Sequence, residues 1–171
     1  MESRTNSTWK PTTKTDLIKI LRNCNQCYES NHHGKFIIAF NELNSLNSKQ
    51  LKKNKITNII VNAHHHWFLL SIFWRQNFLI ISDSLNTIST DSNVMKYINE
   101  FCQKHKLKPL FFSTNYQLLS SSNCGQLSCA LMAVINTRKS LIKLFKFRKT
   151  LLNNSVEKNE QYLLSLLKKH F

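Results

Sequence analysis

The sequence predicts an α+β fold in a single domain, with a mostly antiparallel central sheet packed between helices. Three apolar runs of strand length, "TNIIVNA", "WFLLSIFW" and "NFLIIS", follow one another with short polar turns between them, a pattern typical of neighbouring antiparallel strands. Segments with apolar residues at helical spacing precede and follow these runs. The chain has 171 residues, of which 42% are hydrophobic, so it can bury one core without disulfides or metals.

The N-terminal third of the chain is predicted to contain one helix and one strand. Residues 1–14 are polar and basic and are predicted to form a flexible arm, which leaves residues 15–171 as the domain. The segment "DLIKILRNCN" is predicted to be a helix, because positions 17, 18, 20 and 21 form one apolar face. Thr15, directly before it, is predicted to be its N-cap. The segment "KFIIAF" is predicted to be a short strand, and "NELNSLNSKQLKKNK" a polar loop or helix.

The rest of the chain is predicted to add the strand "TNIIVNA", a hairpin, one more strand and four helices. The runs "WFLLSIFW" and "NFLIIS" form an antiparallel hairpin through a short turn at Arg75 and Gln76. Asp91 opens a helix that runs to about Lys106, and "KPLFFST" is a further strand. A buried helix begins at Cys124, and two helical stretches follow it, "SLIKLFKFRKTLL" and "VEKNEQYLLSLLKKHF".

The charge of the chain is strongly unbalanced. There are 24 Lys and Arg against 9 Asp and Glu, which gives a formal net charge of +15. Such an excess predicts a polyanionic partner, most simply DNA, bound largely through counterion release. The alternative is a basic, soluble surface without a partner. The candidate nucleic-acid contacts are Lys139, Lys143, Lys146, Arg148 and Lys149.

The cysteine content bears on the compartment. The chain has five cysteines, an odd number, and neither a signal-peptide pattern nor a segment as long as a membrane span. We therefore expect an intracellular protein with reduced thiols and no membrane partner.

The segment "SSSNCGQLSCALM" contains a candidate nucleophile. Only two glycines occur in the chain, and one of them, Gly125, directly follows Cys124. Glycine at such a position indicates a tight turn or the close approach of another group. The apolar run after it is typical of a helix buried in a core. Cys124 would then lie at a helix N-terminus, where the positive end of the helix dipole lowers the pKa of a thiol.

Three further residues could complete a catalytic site around Cys124. His66 begins the first hairpin strand and Asp83 follows the end of the second, so antiparallel pairing would bring them to one edge of the sheet. Asp83 could orient the imidazole while its other nitrogen faces the thiol. Gln117, in the loop before Cys124, could donate to an oxyanion together with the Cys124 backbone N–H.

Each of these residues also has an ordinary structural interpretation. Cys124 could be a packed core thiol, "HHHW" could be a basic or metal-binding tract, and Asp83 with Ser84 could form a plain turn. The occurrence of His, Asp, Gln and Cys in this order favours the catalytic interpretation.

The other cysteines are predicted to be structural. Cys24, Cys27 and His32 have the spacing that opens a zinc knuckle, but the fourth ligand would fall at Ile37. No metal site is therefore expected. Cys129 is expected to pack in the core.

These motifs resemble the adenovirus-type maturation proteases, the adenain family, within the wider fold group of the Ulp-type proteases. The shared pattern is the His-Trp pair at 66–67, the acid Asp83, Gln117, and the Cys-Gly pair at 124–125. Weaker likeness extends to "DLIKIL", "IIVNA" and "NEQYLLSLLKKHF". The resemblance implies a cysteine protease domain with the nucleophile at the N-terminus of a buried helix.

The resemblance also implies roles for individual residues. Cys124 is the nucleophile, His66 the general base and acid, Asp83 the orienting carboxylate and Gln117 the oxyanion donor. Trp67 and Gly125 are assigned to substrate binding, with Gly125 leaving room where the substrate backbone passes.

The function implied is a viral cysteine endopeptidase that cleaves structural precursors during virion maturation, acting as a monomer in the virion and in the host nucleus or assembly site. No cofactor is required for the chemistry, and DNA is an expected activator. An activating viral peptide is a further implied partner, but Cys102 lies out of register for a disulfide to it. The alternatives are a Ulp-type isopeptidase acting on SUMO or ubiquitin-like conjugates, and a non-catalytic DNA-binding virion protein.

Overall fold

The computed structural model describes residues 12–171. Its longer helices and its strands follow one another in the predicted order, and four short helical segments lie between them. The helices and strands are α1 (Lys14–Arg22), α2 (Asn25–Ser30), β1 (Ile37–Ala39), α3 (Ser48–Leu51), β2 (Ile56–Ala63), β3 (His66–Phe73), β4 (Phe78–Ser82), α4 (Ser92–His105), β5 (Lys108–Phe111), α5 (Cys124–Arg138), α6 (Leu141–Leu152) and α7 (Val156–His170), with single 3₁₀ segments at Phe40–Ser45 and Ile88–Thr90.

The five strands form one mixed sheet in the order β1-β2-β3-β4-β5. The three central strands are antiparallel, as predicted, and the β3–β4 hairpin pairs Phe73 with Phe78. Both edge strands instead run parallel to their neighbours, so the sheet is less antiparallel than predicted. The physical reason is the length of the connections, because the segments between β1 and β2 and between β4 and β5 contain helices that cross over the sheet.

Two apolar layers cover the two faces of the sheet. On one face, α1, α5, α6 and α7 pack around residues such as Leu69 and Ile80. On the other face, α4 and the 3₁₀ segment after β1 pack against alternate residues of the same strands, such as Leu70 and Ile81. The predicted burial of α5 is confirmed, since it is buried along nearly its whole length. Among residues 12–171, no helix combines the length and the apolar character needed to cross a bilayer.

The first helix is capped two residues earlier than predicted. Thr13, not Thr15, is the N-cap: its hydroxyl accepts a hydrogen bond from the Asp16 backbone N–H at 3.2 Å, and the Asp16 carboxylate accepts one from the Thr13 N–H at 2.9 Å. A capping box needs an acid three residues after the cap, a condition that Thr13 meets. Most of the predicted flexible arm, residues 1–11, lies outside the described residues.

Candidate active site

His66 and Asp83 meet at one edge of the sheet. β3 begins at His66 and β4 ends at Ser82, directly before Asp83. His66 Nε2 lies 2.5 Å from Asp83 Oδ1. The strand before β3 joins it through a turn at His64 and His65, whose φ angles of 52° and 66° are both in the left-handed region typical of a tight hairpin turn. This turn sets the register that places His66, rather than its two neighbours, opposite the carboxylate.

The Asp83 carboxylate is held in place by backbone donors as well as by the histidine. Its Oδ1 accepts from the Leu85 N–H at 3.1 Å, and its Oδ2 accepts from the N–H groups of Thr87 at 2.6 Å and Ile88 at 2.8 Å. Burial alone would raise the pKa of Asp83, but the hydrogen bond and charge of His66 and these N–H donors lower it. The carboxylate is therefore fixed and ionised beside the imidazole.

Cys124 is the first residue of α5, and its thiol faces His66. The Trp67 backbone N–H points at Cys124 Sγ from 3.4 Å. Burial raises the pKa of the thiol, but this is outweighed by the hydrogen bond and charge of His66 and by the N–H groups of Trp67 and Gly125, so the pKa is lowered. The environment therefore favours a thiolate.

The imidazole of His66 lies between these two groups. Burial would lower its pKa, but the hydrogen bonds to Asp83 and Cys124 and their negative charges raise it to about 9. Because Nε2 contacts Asp83, Nδ1 is the nitrogen that remains for the thiol. The raised pKa of His66 and the lowered pKa of Cys124 both favour a thiolate–imidazolium ion pair, the reactive form of a cysteine nucleophile.

Gln117 lines the same cleft with a fixed amide. Its Oε1 accepts a hydrogen bond from the Ser84 hydroxyl, and its Nε2 donates to the Ser121 carbonyl at 2.9 Å. With the oxygen engaged by Ser84, the amide N–H₂ group is the end turned toward the loop before Cys124. One of its two protons remains for another acceptor. The four predicted catalytic residues are thus brought together by two strand ends, one loop and one helix start.

The cleft itself is small, about 190 Å³. Its walls include Trp67, whose indole N–H donates to the Thr12 carbonyl at 2.9 Å. Gly125 is buried behind it, and a Cβ at this position would lie 2.9 Å from a methyl carbon of Leu17. The close approach that the glycine permits is made by α1. Contact of Trp67 and Gly125 with a substrate stays a prediction.

The predicted basic residues have different surroundings. Lys143, Lys146 and Lys149 are exposed on α6, whereas Arg148 donates to the backbone carbonyls of Phe112 and Ser113. Lys139 lines a separate groove of about 790 Å³ at the opposite end of β2, β3 and α5 from Cys124. The groove also contains four further basic residues, Lys52, Lys53, Lys55 and Arg75.

The other cysteines are free thiols in apolar surroundings. Burial raises the pKa of Cys129 to about 12 and that of Cys102 to about 11. Cys27 is buried beneath α5, where Asn136 donates to its sulfur. Within residues 12–171, no three His, Cys, Asp or Glu side chains are grouped as metal ligands would be.

One residue of the site was missed at the sequence level. Glu160, in α7, is buried and accepts hydrogen bonds from three residues of the loop before Cys124. A signal for it exists: Val156, Asn159, Glu160 and Leu163 are spaced as one helix face, and a carboxylate on an apolar face is unusual.

Comparison with known proteins finds similar solved structures but no similar sequences. No protein-family model and no curated protein sequence matches the chain. A solved structure described as a de-sumoylating protease superposes with a TM-score of 0.52 at 16% identity, over 92% of this chain and 74% of that one. The fold is therefore the Ulp1-like cysteine protease fold. A structure of the SUMO protease Ulp1 with its catalytic cysteine oxidised to a sulfinic acid gives 0.46 at 11% identity, over 92% and 81% of the chains.

This result confirms the predicted fold class, with the sheet mixed as described above. The likeness to adenovirus-type proteases stays a sequence-based prediction.

Proposed function

We propose that this chain is a cysteine protease with Cys124 as nucleophile. The observation that carries the proposal is the position of His66: its Nε2 lies 2.5 Å from Asp83 Oδ1, and its imidazole lowers the pKa of the Cys124 thiol in the same cleft. The fold, shared with a de-sumoylating protease, supports it. An ordinary core cysteine has a raised pKa, as Cys129 has, because nothing offsets burial.

The reaction follows from the placement of the protons. The Cys124 thiolate attacks the carbonyl carbon of the scissile bond, so a C–S bond forms and the carbonyl oxygen becomes an oxyanion. The Gln117 amide and the Cys124 backbone N–H are the proposed donors to that oxyanion. His66 gives its Nδ1 proton to the leaving nitrogen as the C–N bond breaks. Water then attacks the thioester, His66 takes up its proton, and the thiolate is released.

For the substrate, we propose viral structural precursors cleaved during virion maturation, with the virion and the host nucleus or assembly site as locations. The sequence resemblance supports this choice. The second candidate is a Ulp-type isopeptidase, which the fold favours because a solved neighbour is described as de-sumoylating. The two differ in the bond broken: a peptide bond within one chain, or an amide bond to a lysine side chain.

Parallel incubations separate these candidates. The purified protein is mixed with a capsid precursor and with a SUMO or ubiquitin-like conjugate, and products are identified by mass spectrometry. New internal termini in the precursor support the endopeptidase, and intact modifier with an unmodified lysine supports the isopeptidase. The Cys124→Ala variant is the control that must be inactive on both. Turnover of neither substrate by the wild-type protein, with binding to DNA retained, would favour a non-catalytic DNA-binding protein.

We also propose that DNA is a partner, on the basis of the +15 charge. Two surfaces could bind phosphates: the exposed α6 lysines and the groove lined by Lys53, Lys55 and Arg75. Neither includes the residues of the catalytic cleft, so a polyanion could bind while substrate is bound. An activating peptide would likewise have to bind outside the cleft, without a disulfide to buried Cys102.

Charge reversal locates the DNA surface. The variants Lys143→Glu/Lys146→Glu and Lys53→Glu/Lys55→Glu are compared by DNA affinity at several salt concentrations. The variant that removes phosphate contacts should show weaker binding and a shallower salt dependence. Absence of measurable affinity in the wild-type protein at physiological salt would contradict the proposal.

A further inference from the structure

Glu160 connects α7 to the loop of residues 118–123, which leads into the nucleophile. Its Oε2 accepts from the Leu118 backbone N–H at 2.9 Å. Its Oε1 accepts from the Ser121 hydroxyl and from Asn123 Nδ2 at 3.2 Å. Asn123 is the residue directly before Cys124, and Leu118 directly follows Gln117. One carboxylate thus binds the loop at both ends and in the middle.

Burial of the Glu160 carboxylate has a high cost in free energy, which apolar packing of α7 does not require. Glu160 is 4% exposed, and within residues 12–171 it takes part in no ion pair. Among the described residues, the donors to this carboxylate are all neutral groups of the loop, and a buried charge without a cation has a large desolvation cost. An apolar side chain would pack α7 against the core at lower cost. The buried Glu160 carboxylate therefore serves to hold the loop in one conformation.

The loop is also what orients the proposed oxyanion donor. Ser121 donates its hydroxyl proton to Glu160 while its carbonyl accepts from Gln117 Nε2 at 2.9 Å. The Ser121 N–H donates to the Leu118 carbonyl at 3.0 Å, which closes a tight turn. The exposure of the adjoining Leu119, 92%, indicates that apolar packing does not hold this loop. Its order depends on hydrogen bonds, and Glu160 accepts several of them.

We propose that Glu160 is a positioning residue for the oxyanion hole, a role that rests on the proposed function. By fixing Ser121 and Asn123, it sets the orientation of the Gln117 amide and the placement of the Cys124 backbone N–H. It does not touch His66 or Asp83, so it should act on stabilisation of the tetrahedral intermediate and not on formation of the thiolate.

The test is the Glu160→Gln variant, which keeps the shape but places an N–H₂ group among donors. We expect kcat to fall by about 10- to 100-fold with KM nearly unchanged, because an oxyanion donor acts mainly in the transition state. Alkylation of Cys124 by iodoacetamide should stay within about twofold of wild type, since the ion pair is untouched. Glu157→Gln, an exposed site on the same helix, is the matched control and should match wild type in both assays.

A peptide aldehyde provides a second readout. Its carbonyl carbon bonds to the thiolate, and the resulting oxygen occupies the oxyanion site. Its affinity should fall in Glu160→Gln in parallel with kcat/KM. In a double-mutant cycle, adding Glu160→Gln to Gln117→Ala should lower kcat/KM less than Glu160→Gln does alone, because part of the effect of Glu160 passes through Gln117.

The outcomes are distinct. Unchanged kcat in a folded Glu160→Gln protein, additive losses in the cycle, or a parallel loss of thiol reactivity would overturn the positioning role. Ser121→Ala, which removes one donor to Glu160, gives the same comparison should Glu160→Gln fail to fold. A wild-type protein without turnover and without an aldehyde adduct on Cys124 would instead overturn the proposed function itself.

Discussion

Replacing Asp83 by Asn removes the charge that accepts a hydrogen bond from His66 Nε2 at 2.5 Å. The pKa of His66 lies at about 9, against 6.5 for an unperturbed histidine. At about 1.4 kcal/mol per pH unit, the folded chain favours the imidazolium by about 3 kcal/mol. Asp83 and the Cys124 thiolate both contribute to this stabilisation of the imidazolium. The Asp83→Asn variant, with a neutral amide, should therefore lose roughly half of it.

The sign of the effect sets the pH profile. In the wild-type protein the imidazolium persists up to about pH 9 and is lost above it, so kcat/KM should fall on that side because no proton is available for the leaving nitrogen. In Asp83→Asn the alkaline limb should move down by about one pH unit. At pH 8, kcat/KM should fall by about tenfold or more, since the amide can also hold the wrong tautomer.

The assay measures kcat/KM for a fluorogenic peptide from about pH 5 to about pH 10, because this range contains the titration of the histidine. Asp91→Asn is the matched control: Asp91 pairs with His64 rather than His66, at 3.2 Å, and Asn also caps a helix well. Its alkaline limb should coincide with that of the wild-type protein. An Asp83→Asn enzyme whose alkaline limb stays near that of the wild type would refute the assignment of Asp83 as the source of the raised pKa.

Three further results are expected. Iodoacetamide at neutral pH should label Cys124 much faster than Cys129, whose pKa is about 12, and equal labelling by mass spectrometry would contradict the thiolate. His66→Ala should lose about 10²-fold or more in kcat/KM, whereas His64→Ala, at an exposed turn, should change it little; the reverse ranking would move the base. Gly125→Ala should lower the free energy of unfolding by about 1–3 kcal/mol, measured by denaturant titration, because the new methyl overpacks a buried contact; unchanged stability would show that α1 yields easily.

Local patterns predicted the elements and much of the site. The hairpin could be predicted because its two apolar strands and the short turn between them lie in one continuous segment. The same segment contains His66 and is followed by Asp83. The helix at Cys124 was readable from its apolar run. These features depend on residues close in sequence, for which spacing is informative.

Features that depend on contacts between distant parts of the chain could not be predicted from the sequence. The direction of the edge strands follows from how the connecting helices cross the sheet. The contact of Ser84 with Gln117 joins residues 33 positions apart, and that of Glu160 with Asn123 joins residues 37 apart. Arg148 looked like a free cation because the two carbonyls that it binds lie in another segment. Each partner had to be placed by the fold before the contact existed.

The attachment of the 118–123 loop to α7 has a consequence for the order of events during synthesis. A ribosome completes His66, Asp83 and Cys124 well before it reaches Glu160, and domains fold as their segments emerge. Until α7 has been made, the loop before Cys124 therefore lacks the carboxylate that binds it. Under the proposed function, the oxyanion site would then be complete only once α7 has docked against the loop.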